Sequence, residues 1–202
     1  SRERIGIEID WMFGPTVKPS QKSLAAELIQ ELHLDGPVLN EDHLITPIPT
    51  LAGLPDDPDV DTPTCLAAWM LDRHARHGVE LLVFLGRPFD RTVTQWRNAL
   101  ALSNEQRDAL VHTLKVTARI MQWDELDVAG KKRLLASARW TQGHLLFEAM
   151  KEVQLVPVIA DELKKQVPAL LDEGVNPEPW VTGGDLIKFG LKPGPQFGDW
   201  LD

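Results

Sequence analysis

The chain has no tyrosine, a single cysteine and more acid than base, and each shortage removes a class of protein. Cys65 alone cannot close an internal disulfide, which excludes a stapled secreted scaffold and fits a reducing cytoplasm. The longest apolar stretch, residues 79–85, is interrupted by Glu80 and falls far short of the roughly 20 residues a membrane helix needs. Arg2-Glu3-Arg4 leads into an alternating amphipathic stretch, not the apolar block of a signal peptide. Without a starting methionine, Ser1 reads as a boundary inside something longer. Lys and Arg number 21 against 30 Asp and Glu, and the net charge of −9 argues against a protein that coats nucleic acid nonspecifically. No glycine-rich phosphate loop precedes a helix, and no Gly-x-Ser-x-Gly elbow presents a nucleophile. The carboxylates lack the Asp-x-Asp spacing on an apolar strand that two-metal phosphoryl chemistry wants. By its residues alone the chain offers no persuasive active site.

What is present is an ordinary globular balance, 43% hydrophobic and 25% charged over 202 residues, enough for one large or two small domains. Apolar spacing predicts helices throughout. Ile5, Ile9 and Met12 mark one over 2–13, stopped by Gly14-Pro15. Ser20 opens a second, with Leu24, Leu28, Ile29 and Leu32 as its inward stripe and Gly36-Pro37 as its end. Residues 37–62 lose periodicity, gather prolines and read as a linker or packed loop. Thr62-Pro63 opens a helix running to Gly78, and 79–85 leans helical because no strand is offered to pair with it. Further helices follow over 90–102, from the capping box Ser103-Asn104-Glu105-Gln106 to Met121, over 125–139, from Thr141 to Val153, and over 155–171. Pro157 and Pro168 mark a start and a kink or stop in the last. The expectation is an all-α array of nine or ten helices: neck-like helices and an acidic loop over 1–62, a body over 63–140 and a tail over 141–202.

Most candidate chemistry dissolves on inspection. Asp57, Asp59 and Asp61 alternate as calcium ligands would, but Thr62 and Ala68 stand where the loop needs glycine and glutamate. His74 and His77 share a helix face without a third ligand nearby. Cys65 reads as a buried apolar side chain. Seven tryptophans, Trp180 and Trp200 among them, offer faces for unpaired bases, although anchoring of short helices is the commoner use. Charge is uneven: residues 87–139 carry 10 basic and 6 acidic side chains, +4 inside an acidic chain. Lys131, Lys132, Arg133 and Arg139 lie there and are candidates for tracking a phosphate backbone.

The carboxyl end is a punctuated helical hairpin. Thr182 and Asp185 form a capping box, Gly190 takes the left-handed exit, and Leu191 folds back on the helix. Pro193-Gly194 turns the chain and Pro195 starts a second helix, whose free amides beside Lys192 make a perch for a phosphate. Mechanics alone favours a hairpin that merely closes the fold.

Residues 181–198, Val-Thr-Gly-Gly-Asp-Leu-Ile-Lys-Phe-Gly-Leu-Lys-Pro-Gly-Pro-Gln-Phe-Gly, resemble the tail signature of bacterial CCA-adding tRNA nucleotidyltransferases and the related poly(A) polymerases. Ser1-Arg2-Glu3-Arg4-Ile5 with Glu8 resembles the start of that family's neck, and Leu102-Ser103-Asn104-Glu105-Gln106-Arg107 the opening of a body helix. The resemblance implies an all-helical neck, body and tail that hold tRNA or another RNA 3′ end. A separate amino-terminal head would carry the catalytic aspartates, Mg2+ and ATP or CTP. None of the head motifs occurs here, so the resemblance implies no catalytic residue in this chain. It makes Lys188, Lys192 and the Gly194 amide candidates for holding RNA backbone, and Glu3 with Arg4 a pair that supports the head. In the Leu-Ala-Ala helix of some members a His-Asp doublet binds metal; here Leu71 stands before Asp72 in the histidine's place. The alternative is a helical interaction module without RNA affinity, which the net charge suits.

Overall fold

The computed structural model describes residues 1–74, 83–84, 89–152, 160–175, 183–190, 192 and 194, and among these residues it is all-α. Helix α1 (Arg2–Phe13) starts where the Ser1 hydroxyl accepts from the Arg4 amide, and it buries Ile9 and Phe13, with Ile5 and Met12 packed beside them. Helix α2 (Pro19–Glu31) begins with proline at its first turn, one residue before the expected Ser20. Its inward face corrects the sequence reading. Leu24, Leu28 and Leu32 are 51%, 44% and 63% exposed, whereas Lys22, Ala26, Ile29 and Gln30 are buried. The polar pair goes inside because partners wait there: Lys22 Nζ donates to the Val60 carbonyl and Gln30 Nε2 to that of Thr46.

The stretch 37–62 is more ordered than a linker. Helix α3 (Asp35–Leu39) takes in Gly36 and Pro37, which were expected to end α2, and α4 (Pro49–Ala52) follows. The break comes earlier, where His33 adopts a left-handed φ of 56°. Ile48, Leu51, Leu54 and Val60 are buried, so these residues form a wall of the core.

Helix α5 (Thr62–His74) is the central rod, buried from Thr62 to Arg73. It opens at Thr62-Pro63 as expected, capped by Asp61, whose carboxylate accepts from the Thr64 amide at 3.0 Å and from the Thr64 hydroxyl at 2.6 Å. Trp69 sits at mid-core, with ring centroids 5.6 Å from Phe13 and 5.5 Å from Trp96. The expected continuation to Gly78, and the segment 79–85 apart from the helical Val83 and Phe84, lie outside the described residues.

Helix α6 (Asp90–Leu100) leads through a left-handed Ala101 into α7 (Asn104–Met121), and the Ser103–Gln106 capping box forms with both of its bonds. The expected basic helix over 125–139 divides into a single 3-10 turn (Trp123–Glu125) and a shorter α8 (Val128–Leu135), because Asp127 caps a new start by accepting from the Gly130 amide. Arg139 therefore lies beyond the helix. Helix α9 (Trp140–Glu152) starts one residue before Thr141, and α7 and α9 pack closely against each other. Gly143 permits that approach, since a Cβ there would meet Val116 Cγ1 at 2.4 Å. Helix α10 (Ala160–Asp172) contains Pro168 and packs against α8, and α11 (Gly183–Lys188) ends at Gly190, whose φ of 88° is the left-handed exit that its sequence context predicts. Pro157, Thr182, Leu191, Pro193, Pro195 and the second hairpin helix lie outside the described residues, as do Trp180 and Trp200. One hydrophobic core draws residues from Ile9 to Leu170 and so crosses all three sequence segments.

Candidate nucleic-acid interface

The expected contact residues fall into three different situations. On α8, Lys131 Nζ donates to Gln166 Oε1 of α10 at 2.8 Å and lies 5.3 Å from the centroid of the Trp123 ring. Trp123 Nε1 donates to the same oxygen at 3.1 Å, so one glutamine fixes both. Lys132 pairs with Glu173 at 3.1 Å, and Arg133 is exposed. Lys164 and Lys165 of α10, the helix that packs against α8, are exposed as well. Sequence reading passed over these two lysines, since 140–202 is acidic as a whole and hides its local base.

Arg139 belongs to the interior frame instead. Its guanidinium binds Asp61 through two bonds of 2.6 and 2.9 Å, with Thr64 and Thr113 hydroxyls completing the set. Burial raises the Asp61 pKa, but the arginine and the Thr64 bonds outweigh it and hold the carboxyl below its usual range. Lys188, paired with Asp185 at 3.5 Å, Lys192 and Gly194 are exposed on the terminal element.

Glu3 and Arg4 face different clefts. Glu3 lines a cleft between α1 and the Leu100–Leu102 turn; its own backbone amide and the Ser1 hydroxyl hold its carboxyl below the usual range. Arg4 stands on the lip of an apolar groove of about 280 Å³ lined by Ile5, Met12, Ile29, Leu34 and Val38.

Two further polar assemblies join residues that lie far apart in the sequence. Arg73, 1% exposed at its side chain, bridges Asp35 at 3.0 Å and Glu41 at 3.1 Å. Asp35 also binds His43 and the Leu44 amide, and Glu41 binds His74 and Trp96 Nε1. Burial opposes ionisation of both acids, but these partners prevail and keep both carboxyls below their usual values. His74, weighed as a metal ligand beside His77, is thus at 3.0 Å from Glu41, and His77 lies outside the described residues. Asp72 caps α4 from a distance, accepting from the Thr50 and Leu51 amides at 3.0 Å each. Burial pushes its pKa up to about 6. Both oxygens are committed to backbone and Leu71 precedes it, so this chain does not fit the metal doublet of the resembled family. Asp57 likewise accepts from the Asp59 amide and forms a local turn. Cys65 is buried, its thiol pushed up to about 11 by desolvation, as an inert core side chain would be.

Three rings run from core to surface. Trp123 is fully buried; Trp140 follows at 6.3 Å between centroids, tilted by 42°; His144 stacks on Trp140 at 5.4 Å and 20°. The His144 side chain is 36% exposed, and its Nε2 is 3.9 Å from Glu148, which also pairs with Lys151 at 3.3 Å.

Fold and site together define an all-α chain with a buried ionic frame and basic side chains on α8 and α10; among its described residues no helix is long and apolar enough to cross a membrane. No family model, curated protein or solved structure matches it.

Proposed function

We propose that this chain is the RNA-holding region of a template-independent nucleotidyltransferase that acts at tRNA 3′ ends in the cytoplasm. It does no chemistry itself; Mg2+ and ATP or CTP belong to a head whose motifs these residues do not contain. The observation that carries the reading is the ordered set of motifs, Glu3-Arg4 in the neck, Ser103–Arg107 in the body and the signature ending at Gly198. The basic side chains Lys131, Lys132 and Arg133 of α8 and Lys164 and Lys165 of the helix packed against it support the reading, being local positive charge on a chain of net −9. Lys188, Lys192 and the Gly194 amide supply a second contact. Lys192→Glu is expected to weaken tRNA binding more than Lys18→Glu, an exposed lysine on the far sequence end, in a filter-binding titration. Equal losses would remove the terminal element from the interface.

A second reading, a helical module that binds protein, is favoured by the exposed Leu24, Leu28 and Leu32 and by the apolar groove beside Arg4. It predicts no tRNA affinity at any salt.

A further inference from the structure

Why should a row of aromatic rings end at the surface on a bare imidazole? Trp123, at the inner end, is fixed by its bond to Gln166 and by the fully packed core around it. Trp140 is half-buried and continues the row, and His144 lies almost parallel to it. Trp140 covers one face of the imidazole, and the side chain keeps 36% of its surface. A row of this kind accepts one more flat ring at its open end.

The charges around that end select what the ring is attached to. Lys151 and Lys164 lie close enough to disfavour a protonated imidazole. With burial as the largest cause, they hold His144 below its usual pKa against the opposing pull of Glu148. A neutral imidazole stacks without repelling an aromatic ring, and Lys164, exposed on α10, is the cation whose charge reaches it while Lys151 is engaged with Glu148. Of the acids among the described residues here, Glu148 is engaged with Lys151 and Glu162 accepts from Gln166. A planar ring joined to an anion is a nucleotide.

We propose that the open face of His144 seats one unpaired base of the bound RNA, with that nucleotide's phosphate lying toward Lys164. This inference rests on the RNA-holding reading and adds a specific demand to it, that the RNA bring a base out of its helix at α9. A duplex cannot use the seat, because its bases are already stacked and paired.

The test uses the 202-residue chain, with whole tRNA and with a short single-stranded oligoadenylate as probes. His144→Ala is expected to weaken oligoadenylate binding roughly tenfold, the scale of one lost base stack. His144→Phe, which keeps a ring in place, is expected to restore most of the affinity, a rescue that a role in charge or in folding alone would not give. Lys164→Ala is expected to weaken the oligonucleotide and to lower its salt dependence, while blunt duplex RNA responds little to His144→Ala. Circular dichroism melts identify any variant that has lost its fold, and His144→Phe then stands as the informative variant. If wild type binds tRNA but His144→Ala binds oligoadenylate equally well, the seat is wrong and the module survives. If a tryptophan-bearing peptide displaces the oligonucleotide at equal concentration, the ring it takes is a protein's and the inference fails. If wild type binds neither RNA, the module reading falls first and the seat with it.

Discussion

Among the described residues, Arg73 is the one cation that bridges both Asp35 and Glu41, whose other partners are two histidines, the Leu44 amide and the Trp96 indole. Removing one partner of such a pair costs about 3–5 kcal/mol, since the remaining charge loses its compensation without regaining water. Arg73→Met is therefore expected to lower the free energy of unfolding by about that much in urea titration. A loss below 1 kcal/mol would mean that water reaches Asp35 and Glu41. Arg139 makes a comparable frame with Asp61, and here the pH dependence has a definite sign. The folded carboxyl sits below its unfolded value, so its stabilisation is present above that unfolded value, about pH 4, and is lost as pH falls through the folded one. The stability difference between wild type and Arg139→Met is expected to be full at pH 6 and to shrink below about pH 4. A difference that grows in acid would contradict the pairing. Asp72 runs the other way: its folded value is raised to about 6, so its contribution declines as pH rises through that range.

At the scale of elements, the close crossing of α7 and α9 depends on Gly143. A methyl group there would overlap the Val116 side chain and press on the Thr117 amide at 3.3 Å, and the Thr117 hydroxyl already donates to the Gly143 carbonyl. Gly143→Ala gains helix propensity of roughly 1 kcal/mol, but overpacking costs about 1–3 kcal/mol, and the second effect is expected to win. A thermal melt showing stabilisation would mean the helices can separate freely.

Elements were legible where their signals are local. The Ser103–Gln106 box and the Gly190 exit each span a few residues and form as the sequence predicts. The face of α2 was not legible, because burial of Lys22 and Gln30 depends on carbonyls at Val60 and Thr46, supplied by a stretch that has no periodicity. The basic helix was read too long for a similar reason. Asp127 looks like one more charged helix residue until its carboxylate turns back to the Gly130 amide. For the site, Lys131–Arg133 were visible as a charge run, whereas the ladder joins Trp123 of the 3-10 turn to Trp140 and His144 of α9, a contact that only the fold makes. The pairing of Arg139 was not legible, since Asp61 stands 78 residues before it.

For the molecule as a whole, the central tension is a net charge of −9 on a chain read as holding RNA. Local fields settle such cases, because screening confines a charge to about 8–10 Å at physiological salt, so local positive charge acts on phosphate with little regard to acid elsewhere. The most direct test is the affinity of the 202-residue chain for tRNA at two salt concentrations. We expect the logarithm of the association constant to fall by about 0.7–0.9 per logarithm of salt for each phosphate engaged. The slope should decrease by about one such unit in Lys132→Glu or Lys192→Glu and remain unchanged in Lys18→Glu. Absence of tRNA binding at low salt, or binding indifferent to salt, would contradict the account.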